Sequence, residues 1–128
     1  MHPPLTVAEA AEHLGLTADT LRYYERDGLL LAPVGRAANG HRRYRADDLR
    51  WITLVTRLRS TGMAIRDVRR YADLVRSGGG NEQERLALLQ EHRTKVLAQL
   101  AEVQAHLGAI DHKIGIYTDA VEGRPLAG

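Results

Sequence analysis

Apolar residues recur along the first third of the chain with the spacing of short helices. Val7, Ala10, Ala11 and Leu14 stand at i, i+3, i+4 and i+7, the stripe of a helix with one buried face. Thr6 and Glu9 precede and open that stripe as a capping box, each placed to satisfy an orphan amide of the first turn. Gly15 ends the helix, and Thr17 starts another after one intervening residue, with Asp19 in the first turn where its charge favours the dipole. Two short helices joined by a glycine-containing turn form a helix-turn-helix pattern, weak alone because such corners are common. In the second helix Ala18, Leu21 and Tyr24 share the apolar face, whereas Asp19, Arg22, Tyr23 and Arg26 share the other, and Gly28 ends it.

The periodicity then changes. Between Ala32 and Arg45, Pro33 and Gly35 break helix, and Asn39-Gly40 is a strong hairpin turn signal. Arg36 falls on the outgoing strand, and His41, Arg42, Arg43, Tyr44 and Arg45 on the return strand. A ribbon with so little apolar content has to project, as a wing does. Helical spacing resumes with a third helix over 47–61, on Trp51, Leu54, Val55 and Leu58, poorly capped by Arg45 or Ala46 but helped by Asp47 and Asp48. Gly62 breaks it, and a fourth helix spans 65–76 on Ile65, Val68, Ala72 and Val75. Ser77-Gly-Gly-Gly-Asn81 reads as a flexible joint.

Beyond the joint the spacing becomes that of a coiled coil. Leu86, Leu89, Arg93, Val96, Leu100, Val103, Leu107, Ile110, Ile114 and Tyr117 alternate steps of three and four without a slip. The seam covers about 48 Å at the usual helical rise. A helix that long, with so narrow a stripe, lacks enough of its own chain to pack against, so a homodimer is expected. Packing back on residues 1–76 would cover only part of the seam. The resulting division is a winged helix-turn-helix domain over 4–75, a hinge at 76–81, a dimerisation helix at 82–121 and a frayed tail at 122–128.

Charge sharpens the picture. The net charge of +2 hides a segment, 36–70, with ten arginines against three acids, a balance of +7. Residues 1–35 carry −3 and 71–128 carry −2. Such concentration points to a polyanion partner. Sixteen of the 18 basic residues are Arg; coding bias accounts for much of that, so the placement matters more than the number. Arginine on an exposed helical face and on a projecting ribbon suits a helix in a groove of duplex DNA with a second element over flanking phosphates.

The chain holds no Cys, which excludes disulfides, iron–sulfur clusters and thiolate metal sites. Six histidines invite a search for a metal site, but His92, His106 and His112 lack ligand spacing. No metal or other cofactor is expected, and no nucleophile with a base in reach can be assembled, so no enzyme is expected. The N-terminus lacks the features of a signal peptide and no apolar run approaches a membrane span, which gives a cytoplasmic protein with no membrane partner.

With helix, ribbon and seam in hand, the chain resembles the MerR family of bacterial transcription regulators. The resemblance is carried by Thr6-Val-Ala-Glu-Ala-Ala, by Thr20-Leu-Arg-Tyr-Tyr-Glu-Arg-Asp-Gly-Leu-Leu30, by Asn39-Gly-His-Arg-Arg-Tyr44 and by Asp48-Leu49. It implies a mainly all-α fold: a winged helix-turn-helix with a small β-hairpin wing, followed by a long dimerisation helix that pairs antiparallel. It implies that Arg22 and Tyr23 reach the major groove and its phosphates, and that Tyr24 is mostly structural with a phosphate contact open to its hydroxyl. Arg43 and Tyr44 would grip the backbone from the wing, helped by Arg42 and Arg36; Thr17 and Arg26 complete the DNA-binding set. His41 replaces a usual tyrosine, and Arg45 and Ala64 stand where a capping Ser or Thr is usual, which predicts less stable third and fourth helices. The cysteine-dependent metal and redox branches of the family are excluded, and too little chain follows residue 121 for an appended ligand-binding domain.

The expected function is a homodimeric, sequence-specific regulator that binds double-stranded DNA at a pseudo-palindromic site and distorts promoter DNA, with RNA polymerase holoenzyme as a further partner. Two rivals stand beside it: an architectural, excisionase-like DNA bender, and a coiled-coil module whose N-terminal domain docks protein. Room remains for a small organic effector, which the sequence does not identify.

Overall fold

The computed structural model describes residues 4–32, 35–36, 40 and 42–124. The elements, in order, are α1 (Val7–Leu14), α2 (Ala18–Arg26), β1 (Gly35–Arg36), β2 (Arg42–Arg43), α3 (Ala46–Ser60), α4 (Ile65–Arg76) and α5 (Glu82–Val121). The chain divides into two compact units, Met1–Gln90 and Glu91–Gly128. The division therefore falls inside α5 and not at the glycine-rich segment.

In the first unit, α1 packs on α2 and α3, and α3 on α4. The capping box forms as expected: the Thr6 amide donates to Glu9 Oε1 at 2.9 Å, and the Glu9 amide donates to Thr6 Oγ1 at 3.1 Å. Gly15 closes α1 at φ 69°, a left-handed conformation that costs glycine no steric penalty. Thr17 caps α2, its hydroxyl accepting the Thr20 amide at 3.0 Å. The core gathers Ala10, Leu21, Leu29, Tyr44, Ile52, Val55 and Val68, all fully buried. Ile52, absent from the predicted face of α3, is buried, whereas Trp51 and Leu54 are half-buried at the core's edge.

The ribbon is short. Gly35 pairs with Arg43 and Arg36 with Arg42, antiparallel, and an isolated bridge joins Leu5 to Tyr44. Asn39 of the expected turn lies outside the described residues, as do Pro33 and His41. Arg45 lacks a capping side chain, but Asp48 supplies half a capping box by accepting the Arg45 amide at 2.9 Å, so α3 starts with better support than its N-cap residue predicts. Ala64 offers α4 no such bond.

Two segments expected to be loose carry local hydrogen bonds, and residues 125–128 of the second lie outside the described residues. Ser77–Asn81 is a bonded turn: the Glu82 carboxylate accepts the Gly80 amide at 2.9 Å, Asn81 Nδ2 donates to the Leu74 carbonyl at 2.8 Å, and Arg85 donates to Asn81 Oδ1 at 2.6 Å and to the Gly78 carbonyl. Residues 122–124 also close α5. The Arg124 amide donates to the Asp119 carbonyl at 2.8 Å, and its guanidinium pairs with Asp119 and Glu122.

In the second unit the seam is laid bare. Leu100, Val103, Leu107, Ile110, Ile114 and Tyr117 are each at least half exposed. Leu86 is likewise exposed and Val96 half-buried, whereas Leu89 is half-buried and packs against the core of the first unit. Among the described residues no helix is long and apolar enough to cross a membrane.

Candidate nucleic-acid interface

The exposed face of α2 is built by its amphipathic spacing. Leu21 and Tyr24 turn inward and are buried, which leaves Arg22 and Arg26 outward and Tyr23 between them, half-buried. Arg22 Nη1 meets Asp19 Oδ1 at 3.1 Å, with nearly half of the arginine side chain exposed and Asp19 almost fully so. An ion pair so wet is worth little and yields readily to a stronger anion. The Arg26 guanidinium lies 5.9 Å from the centre of the Tyr23 ring, a cation–π geometry that holds both groups at the surface. Tyr23 in turn leans on Tyr24, ring centres 6.1 Å apart and tilted by 57°.

The ribbon adds further cations. Arg36 is exposed and donates to the Gly40 carbonyl at 3.0 Å. The backbone register pairs Arg36 with Arg42. Arg43 sits near α1, close enough for its charge to favour the ionised form of Glu9. The bonds from the Thr6 amide and hydroxyl do more: against a small opposing effect of burial they hold the Glu9 carboxyl below its ordinary value.

Tyr44 departs from expectation. Expected among the backbone-gripping residues, it is fully buried, and its amide and carbonyl both bond to Leu5 at 2.8 Å. It anchors the ribbon's base to the core, since a ribbon of four paired residues has too little ladder to hold itself. Tyr24 is likewise buried. Thr17 serves α2 as its cap.

Three residues outside the predicted set bond the backbone that follows α2, and one of them, Arg76, borders the same face as Arg22 and Arg26. A cleft of about 460 Å³ is lined by Arg22, Glu25, Arg26 and Arg76, with Leu30, Leu31 and Ala32 as its apolar wall. Arg76 Nη1 donates to the carbonyls of Gly28, at 3.1 Å, and Leu30. Arg69 donates to the Asp27 carbonyl through Nε at 3.1 Å and to its carboxylate through Nη2 at 3.0 Å. Trp51 Nε1 donates to the Leu29 carbonyl at 2.7 Å. These bonds join residues 22 to 48 positions apart, which no periodic pattern announces. Among the described residues no group of three or more His, Cys, Asp or Glu side chains is placed to hold a metal ion.

Known proteins place this geometry. Residues 5–74 match the model of the MerR HTH family regulatory protein, and residues 49–113 match that of the MerR DNA-binding region. An uncharacterized HTH-type transcriptional regulator of Haemophilus influenzae is 38% identical, over 90% of this chain and 84% of its own length. The regulator AdhR of Bacillus subtilis is 36% identical over 73% of this chain and 66% of its own length. Among solved structures, HiNmlR, described as a MerR family regulator lacking the sensor domain and bound to promoter DNA, is 36% identical with a TM-score of 0.82, covering 94% of this chain and 96% of its own. A MerR family protein from Listeria monocytogenes is 35% identical with a TM-score of 0.84, covering 93% and 89%. On these matches, and on the helix-turn-helix, ribbon and long helix behind them, the chain belongs to the MerR family of HTH regulatory proteins.

Proposed function

We propose that the chain is a homodimeric, sequence-specific DNA-binding regulator of transcription, without enzymatic activity, that distorts promoter DNA at a pseudo-palindromic site. The observation that carries this reading is the exposure of Arg22 and Arg26 on α2 and of Arg36 on the ribbon, within one folded unit. Its support from relatives is the promoter-bound HiNmlR structure. The exposed apolar seam of α5 supports self-pairing, which doubles the helix–ribbon unit and matches it to a two-fold site.

In this reading α2 lies in the major groove, where Arg22 reads base edges and Tyr23 contacts phosphate. Arg26, Arg36, Arg42 and Arg43 spread over the flanking phosphates. Bending a site of this length costs of order 1–6 kcal/mol, which distributed arginine–phosphate contacts offset. Distortion brings promoter elements into register for RNA polymerase holoenzyme, the second partner.

The test is binding to an operator selected by the protein from a random duplex pool, followed across a salt series. Arg36→Ala or Arg43→Ala is expected to reduce the salt slope by about one unit and to weaken all sequences alike. Arg22→Ala is expected to cost about 1–3 kcal/mol on the operator and to relax base preference. Equal losses on operator and random duplex for Arg22→Ala would remove it from base reading. A purified transcription assay separates a regulator from a DNA bender, which would leave initiation unchanged.

A further inference from the structure

Residues 27–32, which follow α2 toward the ribbon, form no helix or strand. Four consecutive carbonyls among them, Asp27 to Leu30, nevertheless all accept bonds, and every donor is a side chain of α3 or α4. Arg69 Nε serves Asp27 at 3.1 Å, Arg76 Nη1 serves Gly28 at 3.1 Å and also Leu30, and Trp51 Nε1 serves Leu29 at 2.7 Å. Leu29 and Leu30 are buried, so water does not readily replace those donors, and an unpaired buried carbonyl is costly. Trp51 is itself held flat against Tyr71 of α4, ring centres 5.6 Å apart with planes 10° from parallel.

We propose that Arg69, Arg76 and Trp51 are positioning residues for DNA binding, which together splint the α2-to-ribbon connection and so set the angle at which the ribbon meets the phosphate backbone. Arg76 borders the same cleft as Arg22 and Arg26, yet its guanidinium is committed to two carbonyls and to Asp73. It therefore acts through the ribbon and not by gripping a phosphate itself. Phosphate contacts fix a protein's orientation on the duplex, so a ribbon set at the wrong angle releases its phosphates together.

The inference rests on the DNA-binding reading above, and the experiment separates the two. With the full chain and the selected operator, Arg76→Ala is expected to weaken binding about tenfold or more and to lower the salt slope by about three units, one each for Arg36, Arg42 and Arg43 drawn away from phosphate. In a background already carrying Arg36→Ala, Arg42→Ala and Arg43→Ala, the same change is expected to alter affinity less than twofold, because the ribbon it positions is already silent. A full tenfold loss in that background would make Arg76 a direct phosphate ligand and overturn the proposal. A second measurement needs no DNA. Trp51→Phe keeps the ring stack but removes the donor to Leu29, and should speed amide exchange at Gly28 and Leu29 while Ile52 and Val68 stay protected. Unchanged exchange at those two amides would also overturn it. Failure of the unaltered protein to bind duplex DNA in a salt-dependent way would defeat the functional reading while leaving the exchange result to stand.

Discussion

Tyr44 marks the point where the ribbon meets the body of the first unit. Its neighbours Arg42 and Arg43 belong to the ribbon, while its own ring lies in the core with Leu21, Leu29 and Ile52. The side chain therefore stabilises the fold, and the proposed phosphate contact falls to the arginines. Tyr44→Ala is expected to destabilise the protein by about 3–5 kcal/mol, the usual cost of emptying an aromatic core site, measured by denaturant unfolding. A loss of DNA affinity with stability unchanged would return Tyr44 to the surface role first expected of it. This residue was hard to place from sequence because a tyrosine in a run of arginines looks exposed on either face of so short a ribbon. Arg22 and Arg26 were legible because helical spacing alone puts them opposite Leu21 and Tyr24.

Elements were legible wherever local rules decide them. The capping box of α1, the Thr17 cap of α2 and the span of α4 all follow from neighbours three or four residues apart. Glu9 makes the first of these testable. Its carboxyl is held below the ordinary value, chiefly by the Thr6 amide and hydroxyl, so its contribution is fully present above the unfolded pKa, near 4.5, and is lost as pH falls through the lower folded value. Helix content followed by circular dichroism is expected to begin falling only below about pH 4.5, and Glu9→Gln, which keeps the cap geometry without the charge, should flatten that acid limb. A limb of the same steepness in the variant would assign it to other carboxylates. The turn at Ser77–Asn81 holds bonds that composition does not announce. Three glycines permit flexibility, but Asn81, Glu82 and Arg85 bond the backbone they expose. The four splinted carbonyls were illegible for a different reason: their donors stand far away in sequence and belong to residues that pattern reading assigns to a core face or a solvated one.

For the whole molecule, the deciding feature is the stripe from Leu100 to Tyr117, left open in a single chain. Leu107→Ala removes about 2 kcal/mol of burial from each copy of the proposed dimer, so its dissociation constant should rise a hundredfold or more by sedimentation equilibrium. Gln104→Ala, off the seam, should leave it unchanged. Equal dissociation of both variants would mean that another surface joins the copies. Since a second chain must cover that stripe, folding and abundance are linked: the melting midpoint should climb with total protein. A cell that makes little of this regulator would then hold solitary protomers open to degradation, giving the switch a threshold in gene dosage.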